Sequence, residues 1–236
     1  MLQLEGVSSQ YEEKVIVLRD ISLHAEKGLT TCILGPNGAG KTTLVKTIVN
    51  LVRPRHGRIT FSNVRIEKLR THQIIRMGMS VVPEGRQLFP KLTVAESLRL
   101  GAYCENNHKI IRTRMEQAFE IFPILKERIA QVAGTLSGGE LGILSIARSL
   151  MAEPKMVILD EPSVGLSPLM TSRVFMAIKE INKRGMTILL IEQNAIKSLQ
   201  ISSYGYILQK GVIAAEGDVD ALKESETVRR VYLRGK

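Results

Sequence analysis

The chain contains no tryptophan, and only five phenylalanines and five tyrosines stand among its 236 residues. That scarcity argues against a base-stacking platform for nucleic acid. The two cysteines, Cys32 and Cys104, lie 72 positions apart. This is neither a metal-binding nor a redox spacing, so reduced, inert thiols of a cytosolic protein are expected rather than a bridge. No uninterrupted apolar run exceeds five residues, against the roughly 20 that a membrane-spanning helix needs. The opening MLQLEGVSSQYEEK has no basic stretch leading into an apolar one, so no secretory signal is expected. No repeat of fixed period and no Pro/Gly/Ser-rich linker divides the chain, which predicts one domain, or one core with an inserted subdomain.

Acidic residues are also scarce, 23 against 33 lysines and arginines, for a formal charge of +10. Such an excess favours an anionic partner: a phosphate-bearing ligand, nucleic acid or an acidic lipid surface. Part of it is local. Arg53, Arg55, Arg58, Arg65, Lys68, Arg70 and Arg76 share one stretch with a single acid, Glu67. With a single phenylalanine, Phe61, among these charges, the stretch reads as a solvated basic face more readily than as a binding patch. With 44% apolar and 24% charged residues, the chain has the balance of a folded globular protein. At this length it can bury roughly 70–75% of its unfolded surface, so its core needs no staple.

Strand and helix patterns alternate at both ends. Residues through Phe61 read as short strands, among them VIVL (15–18) and the buried-strand pattern TTCIL (30–34), with a helix from Lys41 to about Leu51. Apolar residues at 90–152 recur mostly at helical spacings. Strands return as MVILD (156–160), TILLIE (187–192) and YGYILQ (204–209), separated by helices, of which one spans Ser167 to Lys183. The last twenty or so residues read as a short helical tail. The pattern predicts an α/β fold, a parallel-sheet core carrying a helical insertion.

The strongest motif is GPNGAGKT at 35–42, continued by Thr43, which fits G-x-x-x-x-G-K-[ST] between a buried strand and a helix. A triphosphate crowds anionic oxygens together, so a backbone that binds it must curl around them with its N–H groups inward. Gly35, Gly38 and Gly40 permit that path past Pro36, Asn37 and Ala39. The following helix directs its positive end at the phosphates. Lys41 reaches the β- and γ-phosphates, the Thr42 hydroxyl ligates Mg2+, and Thr43 is a candidate for the α-phosphate.

MVILDE at 156–161 ends a buried strand in two adjacent carboxylates at the sheet edge where α/β folds bind ligands. Asp160 is placed to hold Mg2+ and Glu161 to orient and polarise the attacking water. Phosphoryl transfer asks mainly for positioning and charge neutralisation, so a metal, a lysine and one carboxylate suffice.

LSGGE at 136–140 puts Ser137, Gly138 and Gly139 at a helix start, a second anion site in one chain. With Glu140, this segment resembles the signature of the ATP-binding-cassette ATPases, and the order of motifs matches that family over essentially the whole chain. The resemblance implies a P-loop, RecA-like core of mostly parallel sheet (1–83 and 153–236), an antiparallel N-terminal β subdomain and an inserted helical subdomain (84–152). It also implies two subunits sandwiching two ATP molecules head to tail, the signature of each meeting the γ-phosphate held by the other. Tyr11 lies where the family sets an aromatic ring against adenine.

Further stretches look like the ATP-binding subunits of branched-chain amino acid importers: VVPEGRQLFPKLTVAESLRLGAY (81–103), FEIFPILKER (119–128), LDEPSVGLSP (159–168), LLIEQNA (189–195) and VRRVYLRG (228–235). Two positions depart from the wider family in the direction of this branch. Glu84 stands where most cassettes have a glutamine that contacts Mg2+ and water, and Gln193 takes the place of the switch histidine. A neutral amide still donates to a γ-phosphate, more weakly than a cation would. Ser167 occupies a usual aspartate position, as small residues often do in this branch. Leu141 and Gly142 fit neither level, since two glutamines usually follow the signature.

The resemblance thus implies an ATPase on the cytoplasmic face of a membrane, working with permease subunits, indirectly with an extracytoplasmic solute-binding protein, and with a second ATPase subunit, more often a related chain than a copy. Urea and amide importers are close relatives, and a non-hydrolysing regulatory subunit stays open. A nucleic-acid or ribosome-acting cassette is disfavoured. About 95 residues separate Lys41 from the signature, too few for a long coiled coil, and the chain holds one cassette.

Overall fold

A computed structural model of the chain describes residues 1–10, 16–85 and 87–224. Tyr11, Val15 and residues 225–236 of the expected helical tail, including VRRVYLRG, lie outside the described residues, while the start of that tail is helical at Val219–Glu224.

Ten strands form two sheets. β1 (Leu2–Gln10), β2 (Ile16–Ala25), β4 (Pro54–Phe61) and β5 (Val64–Arg65) make an antiparallel sheet in the order β2-β1-β4-β5. The second sheet has β3 (Thr30–Leu34), β6 (Met79–Val82), β7 (Met156–Asp160), β8 (Thr187–Glu192), β9 (Tyr204–Gln209) and β10 (Val212–Asp218), in the order β10-β9-β3-β8-β7-β6. All its pairings are parallel except β10 on β9. The helices are α1 (Lys41–Ile48), α2 (Thr71–Arg76), α3 (Val94–Gly101), α4 (His108–Ile121), α5 (Pro123–Glu127), α6 (Gly138–Leu150), α7 (Pro168–Lys183), α8 (Ala195–Ile201) and α9 (Val219–Glu224). The four helices α3–α6 all fall between β6 and β7, as the helical pattern at 90–152 predicts.

The central strands are apolar throughout because two cores claim them. Ile33 of β3, Ile158 of β7, and Leu189 and Ile191 of β8 face the antiparallel sheet, with Leu44 and Ile48 of α1 in the same core. Their neighbours Cys32, Leu34, Val157, Leu159, Ile188 and Leu190 face the other way, into a core filled by α3–α8. Each such side chain contributes about 1.5–3 kcal/mol on burial, and a sheet covered on both sides needs continuous apolar strands. The Cys32 thiol sits in this interior and burial pushes its pKa up to about 11. Cys104 is exposed, and both are free.

β3, β7, β8, β9 and α7 coincide with the runs that the sequence marks. α1 is shorter than expected, ending at Ile48 rather than near Leu51. Asn50 turns left-handed there (φ 58°), and the N–H groups of Leu51 and Val52 donate back to the Lys46 carbonyl at 2.8 and 3.1 Å, a C-terminal stop that αL residues supply.

Candidate functional site

Four loops leave the same edge of the sheet. They follow β3, β8, β7 and β6, which are consecutive neighbours. The loop after β3 carries Gly35–Gly40, that after β7 begins at Glu161, that after β8 opens with Gln193, and that after β6 holds Glu84. Ligands of open α/β sheets sit in the crevice at this carboxyl edge.

The glycine loop is held by different constraints at different points. Gly38 and Gly40 have φ of 77° and 106°, a left-handed region that side chains penalise. Gly35 is instead a matter of space, since a Cβ there would lie 2.6 Å from the Leu208 carbonyl oxygen. Pro36, Asn37 and Gly38 are exposed, while Ala39 is buried. α1 begins at Lys41 with Gly40 as its cap, so no side chain satisfies its first N–H groups. By contrast α3, α6, α7 and α8 are capped by Thr93, Ser137, Ser167 and Asn194. An uncapped helix start with no acid in its first turn suits a phosphate anion.

Lys41 is buried, and its Nζ donates to the carbonyls of Gly35 (2.8 Å) and Pro36 (3.0 Å). It also pairs with Glu161 Oε1 at 2.9 Å. Three donors thus have three acceptors, and the lysine reaches both the loop and the carboxylate after β7. Glu161 is buried with its backbone at φ 48°, a conformation costing a non-glycine residue about 1–3 kcal/mol. Its N–H donates to the Ile191 carbonyl at 2.9 Å, which ties the β7 loop to β8.

Asp160 is buried and hydrogen-bonded to the Thr42 hydroxyl, yet its Oδ1 has no partner. Burial, then the charges of Glu161 and Glu84, push its pKa up to about 6 against the opposing pull of Lys41 and Thr42. An orphaned carboxylate oxygen next to a hydroxyl, among like charges, fits a Mg2+ ion, which takes few protein oxygens and completes its shell with phosphate and water. Glu84 is exposed, close enough for its charge to act on Asp160.

The sign of that shift sets a prediction. With the folded pKa above its ordinary 3.8, at about 6, the folded chain keeps a proton that the unfolded chain releases. In chelator-treated protein, the contribution of Asp160 to stability therefore falls as pH rises from about 4 to about 6, by up to ~3 kcal/mol. Urea unfolding across that range should show the wild type losing stability relative to Asp160→Asn as pH rises. Superimposable profiles would contradict the assignment.

Gln193 is exposed at the end of β8. Ser137 and Gly138 are exposed at the start of α6, and Glu140 is half-buried. Glu140 closes back on Ser137: Ser137 N–H donates to Glu140 Oε2 (2.8 Å) and Glu140 N–H to Ser137 Oγ (3.3 Å). The Ser137 hydroxyl and then its N–H hold the Glu140 carboxyl below its usual range. Gly139 is buried, and a Cβ on it would fall 2.0 Å from Met170 Cε of α7. Leu141 packs against the helical core. Gly142 faces a cavity of about 120 Å3 shared with Glu161, Gly85 and Gly165. A larger cavity, about 620 Å3, opens between Lys27, Lys155 and Arg184 and contains none of the motif residues.

The structure thus gathers Lys41, Thr42, Asp160, Glu161 and Glu84 around one crevice. Sequence reasoning missed Glu192, whose buried carboxylate joins the β7 and β8 loops. The signal was available, since an acid closes the otherwise apolar strand TILLIE.

A parallel sheet with a glycine-rich phosphate loop and acids at its carboxyl edge defines a nucleotide-binding P-loop ATPase. The ABC transporter family model matches residues 18–164, and the chain belongs to that family of ATP-binding, ATP-hydrolysing transporter subunits. Over 235 residues it is 38% identical to the high-affinity branched-chain amino acid transport ATP-binding protein BraG of Pseudomonas aeruginosa, with 100% of both chains covered. It is 33% identical to the lipopolysaccharide export system ATP-binding protein LptB of Haemophilus influenzae, covering 99% of this chain and 97% of that one. Among solved structures, the ATP-binding cassette MJ1267 in its ADP conformation superimposes with a TM-score of 0.86 at 28% identity, covering 100% and 99% of the two chains.

Proposed function

We propose that this chain energises the import of branched-chain amino acids, hydrolysing ATP at the crevice around Lys41 and Glu161. The observation that carries the solute assignment is the end-to-end 38% identity with BraG. Glu84, Gln193 and Ser167 support it from within the sequence. In this reading 84–152 forms the helical unit, and the flanking segments form the nucleotide-binding core.

ATP binding draws the Lys41 ammonium from the loop carbonyls and Glu161 to the β- and γ-phosphates. The N–H groups of Gly35–Gly40 and of the uncapped α1 start surround the phosphate chain, with Thr43 at the α-phosphate and Tyr11 against adenine. Thr42 and Asp160, with Glu84 beside them, would hold Mg2+, which when bound would neutralise phosphate charge. Glu161, released from Lys41, orients the attacking water and polarises it. Gln193 donates its amide to the γ-phosphate. Ser137 and Gly138 face outward, toward the ATP of a second ATPase subunit, related or identical. Permease subunits form the pore, the cassette docks on their cytoplasmic side, and an outer solute-binding protein selects the cargo.

Full-length similarity to LptB favours a second reading, an exporter ATPase of the lipopolysaccharide type. Uptake of labelled leucine, isoleucine and valine in a deletion strain separates the two. Import should fall and return on complementation; uptake equal to the parent strain would remove the amino acid assignment.

A further inference from the structure

Glu192 ends β8 and is 2% exposed. Its Oε1 accepts the N–H of Ser163 at 3.0 Å, and its Oε2 accepts those of Gln193 and Asn194 at 3.1 and 3.2 Å. The Ser163 hydroxyl lies close enough to pull its pKa down, and among the described residues no lysine or arginine charge acts on it. Burial raises its pKa, and the hydrogen bonds oppose that rise. A buried carboxylate is costly unless donors converge on it, and every other residue of this strand is buried without needing a charge. What the carboxylate accomplishes is a junction. Ser163 lies two residues beyond Glu161, Gln193 is the next residue in the chain, and Asn194 caps α8.

We propose that Glu192 is a positioning residue for ATP hydrolysis: by gripping the backbone of both loops, it fixes Gln193 relative to Glu161. The inference rests on the roles given to those two residues above. Each loop is exposed at its tip; the Glu161 N–H bond to the Ile191 carbonyl holds the start of the β7 loop to β8, and the Glu192 carboxylate carries the tie onward to Ser163 and to the β8 loop at Gln193 and Asn194. The carboxylate has two oxygens, one facing each loop, and that is the property the position requires. Glutamine keeps the shape but turns one acceptor into a donor facing an N–H, releasing one of the loops. Aspartate keeps the charge but is one methylene too short to span both.

The test uses the purified full-length chain, wild type and with Glu192→Gln or Glu192→Asp, measuring ATP turnover, KM and the fraction of chains that bind ATP. Misplacing a reacting group by about 1 Å costs on the order of 100-fold, so kcat per ATP-binding chain should fall about 10–100-fold in both variants. KM should stay within about 3-fold. A residue serving only the fold would reduce the number of binding chains and leave turnover per binding chain within about 2-fold of wild type, and that result would overturn the proposal. Should both variants fail to fold, amide exchange of the wild type decides. Slow exchange at Ser163, Gln193 and Asn194 is expected, and exchange at open-loop rates would refute the junction. Wild-type chain that binds but never hydrolyses ATP would instead count against the roles of Glu161 and Gln193, with exchange still judging the junction.

Discussion

Glu161→Gln should lower ATP turnover at least about 100-fold while leaving ATP binding intact. Glutamine preserves the volume, the buried setting and the capacity to hydrogen-bond, and removes the charge that polarises water. The same change weakens the hold on Lys41, whose Nζ lies 2.9 Å from Glu161 Oε1. The ammonium is then easier to draw to phosphate, so ATP affinity should equal or exceed that of the wild type. Titration with a fluorescent ATP analogue alongside a phosphate-release assay reads both quantities. Turnover close to wild type in this variant would take Glu161 out of the catalytic role.

Lys41→Ala should do the opposite, abolishing nucleotide binding, with a stability cost that has to be separated from it. The Lys41 and Glu161 side chains are 4% and 9% exposed, and deleting one partner of a buried pair leaves an uncompensated charge worth about 3–5 kcal/mol. Adding Glu161→Gln to Lys41→Ala removes that lone charge. The double variant should regain most of the lost stability in thermal unfolding and still fail to bind ATP. If it recovered binding as well, the lysine would be a structural counter-ion and the phosphate cradle would need another cation.

These two residues, 120 positions apart in sequence, were both legible before any coordinates, because each belongs to a local motif that a strand ends in. The fully buried strands were legible for the same reason: β3, β7 and β8 are buried along their whole length and carry runs of apolar residues that face both ways. What escaped was short or lay at an edge. β6 is four residues with only its ends buried, and β10 alternates between half-buried and exposed side chains with two alanines in the middle. Neither leaves a periodic signal above its surroundings. α2 has six residues and one buried side chain, too little for a helical stripe. In the site, Lys41 and Glu161 were readable as separate motifs, but their direct contact was not. For Glu192 the acid closing its strand was visible, but the partners it joins were not, because they are backbone N–H groups, which every residue but proline has.

Gly139 has a mechanical consequence. Because a Cβ at Gly139 would fall within 3 Å of the Met170 side chain, the first turns of α6 and α7 lie in close contact, and a displacement of one presses directly on the other. α7 starts only seven residues after Glu161, at the end of the same loop. A force applied to Ser137 from outside the molecule therefore has a short, rigid lever to the hydrolytic end of the sheet, one that bypasses both hydrophobic cores. Lengthening that lever's contact, by any side chain at 139, would introduce slack or wedge the two helices apart.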